Sequence, residues 1–376
     1  MKSVPILLLT GYLGSGKTTL LNRILSNGKG IKFAVIVNDI GEINIDASLI
    51  ARDGLVGKRD ESLIALQNGC ICCTLKMDLV EQIDSLMKMQ RFDYIVIEAS
   101  GICEPEPIAR TICSIPYMGE EWVSCGRPVL DAVVTVVDAL RMRDEFSCAK
   151  DLLRGGIGEE DLESLVIQQV EFCNIVLLNK ASSISADDLA KVRAIVRKLQ
   201  PEAKIIECDW GKVELEELLF TGLFNYDSVA ASATWIKAVE GSEEDAADEG
   251  EAEEYGIGTY VYRERRPMDI NRFDRFISKR WPAGIIRAKG VCWFISEPDN
   301  CYLFEQAGSQ ISLSDIGLFY ATMPEDELEA KLEQDPSLAA DWDPVYGDRL
   351  QKLVFIGQHL DRNAIKQELD FCLAEE

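Results

Sequence analysis

Histidine is almost absent from this chain: among 376 residues there is 1 histidine, His359. A single imidazole without neighbouring donors is weak evidence for a metal ligand, so a turn after the predicted strand Leu353–Gly357 is the better interpretation. Basic charge is also scarce, because 39 Lys and Arg face 64 Asp and Glu, which gives a formal net charge of −25. A phosphate backbone would be repelled by this charge, and we therefore expect no nucleic-acid partner.

Long hydrophobic runs are missing as well. Although 47% of the residues are hydrophobic, no stretch approaches the roughly 18 apolar residues of a membrane span, so no membrane partner is expected. The 12 cysteines lack the spacing of a small disulfide scaffold, which favours reduced thiols and a cytoplasmic location. The length predicts two domains, each able to bury its own core.

The chain does contain a complete phosphate-binding loop, Gly11–Thr18, with the pattern G-x-x-x-x-G-K-[ST]. The apolar run Ile6–Leu9 predicts a buried strand before the loop, and Thr19–Leu25 predicts a helix after it, which is the order that this motif requires. Backbone N–H groups would hold the phosphates, while Lys17 would reach the β- and γ-phosphates and Thr18 would bind Mg²⁺. The nucleotide-binding residues predicted in this loop are Gly14, Ser15, Gly16, Lys17, Thr18 and Thr19.

A second motif is the apolar strand Tyr94–Glu98, which ends in an acid and is followed by Gly101. A carboxylate at the end of such a strand lies at the phosphate edge of a parallel sheet, where it can support Mg²⁺ or orient water. We predict that Lys17, Thr18 and Glu98 are catalytic. We also predict that Gly101 lets the backbone approach the γ-phosphate.

The fold class predicted for residues 1–225 is α/β, a P-loop NTPase with a doubly wound, mostly parallel sheet. Helices are indicated by apolar residues spaced three or four apart within Leu79–Met87 and Leu189–Leu199. The further predicted strands are Phe33–Val37, Ala132–Val137 and Ile175–Leu178.

A smaller α+β domain is predicted for residues 255–376. It follows an acidic flexible linker over 226–254, because Glu240–Glu254 holds nine carboxylates and no basic residue. Pro267 suits the first turn of a helix that would run through Trp281. The strands predicted in this domain lie near Ile257–Tyr262, Ile285–Ile295, Tyr302–Glu305 and Leu353–Gly357.

Three thiols lie close together at Cys70, Cys72 and Cys73. Thiolates suit Zn²⁺, and Co²⁺ can take the same donors, but a tetrahedral site needs about four of them, so Glu42, Asp39 or solvent would complete it. If the segment is extended, Cys70 and Cys72 are the favoured ligand pair, and if it forms a helical turn, Cys70 and Cys73 are favoured. A transported metal is favoured over a structural metal and over buried or redox-active thiols. The predicted metal ligands are Cys70, Cys72, Cys73 and Glu42, with Thr18 for Mg²⁺.

Motifs along the whole chain together match the pattern of one protein family. They are Gly11–Thr18, Asn38–Asp46, the C-x-C-C spacing of Gly69–Cys73, the E-x-x-G form of Glu98–Gly101, Asn179-Lys180 and, in the second domain, Glu254–Ile257, Tyr262–Pro267 and Gly347–Arg349 followed by Leu353–Gly357. On these residues the chain resembles the CobW-type family of metallochaperone GTPases, in the branch associated with zinc homeostasis.

The resemblance implies GTP and GDP as ligands, with Asn179 and Lys180 framing the base. It also implies delivery of a transition metal, zinc above all, to a client metalloprotein, and it leaves a homodimer open. Hydrolysis by the protein alone is expected to be slow, because the sequence shows no convincing arginine finger.

The chain departs from the family pattern at two places. Its linker has no histidine, which argues against a high-capacity metal reservoir. The guanine motif N-K-x-D here runs Asn179-Lys180-Ala181-Ser182, without the carboxylate that reads the base. We expect the preference for GTP over ATP to fall by about 1–3 kcal/mol, unless another acid such as Asp209 or a backbone group reads the base.

Two other functions stay open at this stage. The first is a regulatory protein that binds nucleotide and zinc without catalysis and thereby gates a protein interface. The second is a P-loop small-molecule kinase, which would need a second substrate pocket and a lid with phosphate-binding arginines, and neither is clear in the sequence.

Overall fold

The computed structural model describes residues 3–26, 30–37, 63–67, 76–147, 160–226, 228–229, 256–282, 284–308, 310–334, 338–339 and 342–375. The chain divides into two compact units, one of residues 1–148 and 165–233 and the other of residues 149–164 and 234–376. No helix in the described part is long and apolar enough to cross a membrane.

The larger sheet contains seven strands among the described residues. The strands and surrounding helices, in chain order, are β1 (Ser3–Thr10), α1 (Lys17–Ser26), β2 (Phe33–Val37), β3 (Leu63–Gln67), α2 (Lys76–Lys88), β4 (Tyr94–Glu98), α3 (Pro105–Ser114), β5 (Arg127–Asp138), α4 (Ala139–Ser147), α5 (Glu160–Glu171), β6 (Ile175–Asn179), α6 (Ala186–Leu199) and β7 (Lys204–Glu207). The strands lie in the order β3-β2-β4-β1-β5-β6-β7, and all of their pairings are parallel.

The central strands β2, β4 and β6 are buried along their whole length, and β1 is buried over Ile6–Thr10. Helices cover both faces of such a sheet, which explains why these strands are continuous apolar runs rather than alternating ones. The predicted α/β class with a doubly wound parallel sheet is confirmed. Because all strands point the same way, the loops that follow them meet at one edge of the sheet, where ligands of this architecture bind.

A buried carboxylate fastens the end of this unit to its sheet. Asp131, on β5, accepts hydrogen bonds from the Tyr94 hydroxyl at 2.5 Å and from the backbone N–H groups of Thr221 at 3.1 Å and Gly222 at 2.6 Å. Burial, and then the bond to Asp131, raise the pKa of Tyr94 above its ordinary value, so the phenol stays protonated and continues to donate.

We expect Asp131→Ala to lower the free energy of unfolding by about 2–4 kcal/mol, because a buried hydroxyl and two N–H groups lose their acceptor. The urea midpoint of the full chain measures this. Asp144→Ala is the matched control, since the Asp144 side chain is 58% exposed and pairs with its neighbour Arg143. Equal midpoints for the two variants would contradict the assigned role of Asp131.

The second unit combines a five-stranded sheet with helices. Its elements are β8 (Ile257–Glu264), α7 (Ile270–Lys279), β9 (Ile285–Phe294), β10 (Glu297–Ala307), β11 (Gln310–Leu318), α8 (Glu325–Gln334), β12 (Gln351–Gln358) and α9 (Arg362–Cys372). The strands pair antiparallel in the order β11-β10-β9-β12-β8. Helices α7 and α9 contribute Phe273, Phe276, Ile365 and Leu369 to a core shared with the sheet. The predicted α+β class of this domain is confirmed.

Two local predictions in this unit have different outcomes. Pro267 does not lie in the first turn of a helix, because α7 begins only at Ile270. The Asp269 carboxylate caps the helix there, since it accepts hydrogen bonds from the backbone N–H groups of Asn271 and Arg272, at 2.9 Å each. His359 is an exposed residue in the turn after β12, as predicted. It has a positive φ of 52°, and its N–H donates to the Gly256 carbonyl at 2.7 Å.

Candidate nucleotide site

The phosphate-binding loop joins β1 to α1 at the carboxyl edge of the sheet. Gly14 and Gly16 have positive φ angles of 76° and 109°, which favour glycine. At Gly16 a Cβ atom would also lie 2.3 Å from Asn179 Nδ2, so no larger residue fits there. The Ser15 hydroxyl is buried and has no hydrogen-bond partner among the described residues, as expected for a group that lies where a phosphate would bind.

Lys17 is the first residue of α1 and is only 7% exposed. Its Nζ donates to the Tyr12 carbonyl of the same loop at 3.2 Å. Lys17 is therefore not a solvent-facing cation, because the loop folds over its side chain. The ammonium is already held inside the turn that would surround the phosphates.

Thr18 and Glu98 are brought together across the sheet. The Thr18 hydroxyl donates to Glu98 Oε1 at 2.9 Å, and Glu98 is 2% exposed at the end of β4. Leu9, on β1, is the register partner of Glu98, which places the acid where the phosphate loop begins. Two hard oxygen donors at this place fit Mg²⁺. Thr19, the next predicted ligand, is exposed on α1.

Gly101 lies against the phosphate loop. A Cβ atom at Gly101 would lie 2.8 Å from the backbone nitrogen of Leu13, so the loop after β4 packs directly on the loop after β1. The Gly101 backbone therefore lies against the phosphate loop, and its approach to a γ-phosphate stays a prediction.

Asn179 joins three loops at the other end of the site. Its Nδ2 donates to the Ser15 carbonyl at 2.8 Å, and its Oδ1 accepts from the Gly211 N–H at 3.2 Å. Lys180 follows in the left-handed conformation, with φ of 61°, and its ammonium binds the Asp138 carboxylate at 2.5 Å. These contacts fix the two residues predicted to frame the base.

A carboxylate stands beside the position where the guanine motif has lost one. The N–H and hydroxyl of Ser182 donate to Asp209 Oδ1 at 3.1 and 2.9 Å. Sequence reasoning could name Asp209 only as one acid among others, because 27 residues separate it from Ser182.

Arg141 is a residue near the site that sequence reasoning missed. Its guanidinium lies over the ring of Tyr12, 4.1 Å from the ring centre, and its backbone N–H donates to Asp138 at 3.2 Å. The side chain therefore packs on the phosphate loop through a cation–π contact. No motif marks this arginine, since its proximity depends on how α4 leaves β5.

The predicted soft-metal site lies outside the described residues, which include none of its candidate ligands Asp39, Glu42, Cys70, Cys72 and Cys73. Within the described part, no group of three or more His, Cys, Asp or Glu is placed to hold a metal ion. The linker segment Glu240–Glu254 is also outside it.

The described cysteines form no disulfides with one another, and five of them are buried, where cysteine packs as a small hydrophobic residue. Burial raises the pKa of Cys173 to about 12 and that of Cys208 to about 11, so both remain protonated near neutral pH. The buried ones are Cys103, Cys173, Cys208, Cys292 and Cys372, whereas Cys113, Cys125 and Cys301 are half-buried.

Comparison with known proteins gives matches over nearly the whole chain. Residues 5–207 match the family model described as CobW/HypB/UreG, nucleotide-binding domain, and residues 257–373 match the cobalamin synthesis protein cobW C-terminal domain. Zinc-regulated GTPase metalloprotein activator 1 of Dictyostelium discoideum is 35% identical over 387 residues, which cover 99% of this chain and 80% of that protein. Zinc chaperone YjiA of Escherichia coli K12 is 28% identical over 379 residues, with 97% and 98% covered. The crystal structure of Zn(II)-bound YjiA GTPase from E. coli aligns over 100% of both chains at 22% identity, with a TM-score of 0.42.

Proposed function

Because the chain belongs to the CobW/HypB/UreG family and carries the CobW C-terminal domain, we propose that it is a GTP-hydrolysing metallochaperone that holds zinc and delivers it to a client protein. The relatives named above as zinc-regulated activator and zinc chaperone support zinc as the cargo. We also propose a cytoplasmic location and a client metalloprotein as partner, and we keep a homodimer open as the assembly. The proposed domain boundaries are 1–225 for the GTPase domain, 226–254 for the acidic linker and 255–376 for the C-terminal domain.

The roles of the phosphate-loop residues follow from their contacts. Lys17 would neutralise the negative charge that develops on the transferred phosphoryl group. Thr18 and Glu98 would hold Mg²⁺, which supplies charge neutralisation for the β- and γ-phosphates when it is bound. Ser15 and the backbone N–H groups around Gly16 would bind the phosphate oxygens.

One observation carries the link between nucleotide and metal. Gln67 at the end of β3, Val37 at the end of β2, and Glu98 are register partners in one row across neighbouring strands. Strands in a sheet lie about 4.8 Å apart, so the Gln67 backbone lies roughly 10 Å from that of Glu98. The acid that contacts Thr18 and the end of β3 are therefore close neighbours.

The cysteine cluster is tied to this row by short stretches of chain. Cys70 is three residues beyond Gln67, and Cys73 is three residues before the start of α2 at Lys76. Three residues span at most about 11 Å, so the thiols are tethered to the nucleotide edge of the sheet. A change at the γ-phosphate can thus alter the metal affinity, and by linkage the metal must alter the nucleotide affinity by the same factor.

The test is a titration of Zn²⁺, and separately of Co²⁺, into the protein without nucleotide, with GDP and with a non-hydrolysable GTP analogue. We expect the GTP analogue to tighten zinc binding at least ~10-fold relative to GDP, within the usual range of coupling between sites. In Lys17→Ala the difference between the two nucleotides should disappear, whereas zinc binding without nucleotide should persist.

Zinc affinities that are identical in all three states would contradict the chaperone cycle. Release of phosphate from GTP by the protein alone is measured alongside, because it separates the alternatives. Turnover supports the GTPase, transfer of phosphate to a metabolite would indicate a kinase, and coupled binding without turnover would indicate a regulatory protein.

A further inference from the structure

We propose that Asp209 reads the guanine base in this protein, in place of the carboxylate that the guanine motif lacks at Ser182. The inference rests on the proposed function, since it takes GTP as the nucleotide bound by the Gly11–Thr18 loop. Ser182 follows the end of β6 by three residues and Asp209 follows the end of β7 by two. The two strands are parallel neighbours, so both residues emerge at the same edge of the sheet.

The contact between the two residues holds the carboxylate where the motif needs it. Both hydrogen bonds from Ser182, at 3.1 and 2.9 Å, go to the same oxygen, Oδ1 of Asp209. Ser182 is exposed and Asp209 is half-buried, so a base can reach this corner. Ser182 is therefore a positioning residue for Asp209.

This corner is fastened to the phosphate loop by a chain of hydrogen bonds. The Ala181 N–H donates to the Cys208 carbonyl at 3.2 Å, which ties the loop after β6 to the loop after β7. Asn179 continues the chain, because it accepts from the Gly211 N–H at 3.2 Å and donates to the Ser15 carbonyl at 2.8 Å. A base attached to phosphates held at Ser15 is thus presented to a carboxylate whose position is set by the same network.

A carboxylate at the position of Asp209 would distinguish guanine from adenine. Guanine presents N1–H and a 2-amino group side by side, and an ionised carboxylate accepts from both. Adenine has an acceptor at N1 and no amino group at C2, so it cannot make the pair of bonds. The drop in GTP preference predicted from Ser182 alone is therefore not expected, because Asp209 supplies the charge.

The test is competition of GTP, ITP, XTP and ATP against a fluorescent guanine nucleotide, for the wild type and for Asp209→Asn. We expect Asp209→Asn to bind GTP about 10–100-fold more weakly, the range for a hydrogen bond to a charged group. It should bind XTP about 10-fold more tightly or better, since an amide can donate to the C2 carbonyl of xanthine. Asparagine keeps an oxygen that can accept the hydrogen bonds from Ser182. If Asp209 only held its loop in place, the substitution would therefore not weaken GTP binding and tighten XTP binding at the same time.

Two further variants sharpen the test. The double change Ser182→Asp with Asp209→Ser returns the carboxylate to the motif position, and it should restore the preference for GTP over XTP. Asp187→Asn is the matched control, because the Asp187 carboxylate on α6 is 65% exposed and pairs with Lys191, and all four affinities should stay unchanged.

The inference is overturned if Asp209→Asn leaves the ratio of GTP to XTP affinity unchanged, or weakens all four nucleotides equally. Equal binding of GTP and ATP by the wild type would also overturn it, while leaving triphosphate binding by the phosphate loop intact. A wild type that binds no triphosphate would overturn both this inference and the proposed function.

Discussion

Lys17→Ala is expected to lower kcat/KM for GTP hydrolysis by about 10³-fold, the scale observed when a preorganised group that stabilises the transition state is removed. The magnitude follows from the position of the ammonium, which is buried and bonded to the Tyr12 carbonyl. Because the loop already surrounds it, the cation needs little rearrangement to meet the phosphates.

The fold should survive this substitution. The Tyr12 carbonyl loses one hydrogen bond, which costs about 1 kcal/mol, so the thermal midpoint should shift by a few degrees at most. Lys32→Ala serves as the control, since Lys32 is exposed next to the start of β2, at the opposite edge of the sheet. Hydrolysis by Lys17→Ala at the rate of the Lys32→Ala control would remove the central premise of the proposed function.

Sequence alone predicted best the strands whose complete burial permits only one pattern of residues, a continuous apolar run. β2 and β4 match the predicted bounds, because a parallel strand covered on both faces must be continuously apolar. β7 was not predicted: it lies at the sheet edge, and its sequence Lys-Ile-Ile-Glu has only two apolar residues, both partly exposed. β11 was missed as well, although Ile311 and Leu313 alternate with serines, because an exposed edge strand has few burial constraints.

The residues of the candidate site also divide into those that sequence alone could predict and those that it could not. The phosphate loop was predictable because its residues are adjacent in sequence and their spacing alone defines the turn. The pairing of Thr18 with Glu98 could be inferred, since the ends of parallel strands meet at one edge. The contact of Asp209 with Ser182 could not, because it depends on the order of β6 and β7 in the sheet and on the lengths of two loops. The predicted family, fold class and GTPase activity are confirmed by the family matches.

Replacing Cys70, Cys72 and Cys73 together by serine is expected to weaken zinc binding by about 10³-fold or more, because an alcohol is a far poorer ligand for Zn²⁺ than a thiolate. Single variants separate the two ligand pairs left open by the sequence. If Cys70 and Cys72 bind the metal, Cys72→Ser should weaken it and Cys73→Ser should not. If Cys70 and Cys73 bind it, the reverse is expected.

The same cysteines should not matter for nucleotide binding in the absence of metal, since the phosphate loop makes its contacts through other residues. Affinity for GDP in metal-free buffer is therefore the measurement that shows the triple variant is folded. Cys113→Ser and Cys125→Ser are matched controls, because both cysteines are half-buried in the described part of the chain and neither forms a disulfide there. Zinc binding by the triple variant as tight as that of these controls would place the metal site elsewhere in the chain. The link between γ-phosphate and metal through the end of β3 would then be lost, whereas GTP binding and the role of Asp209 would stand.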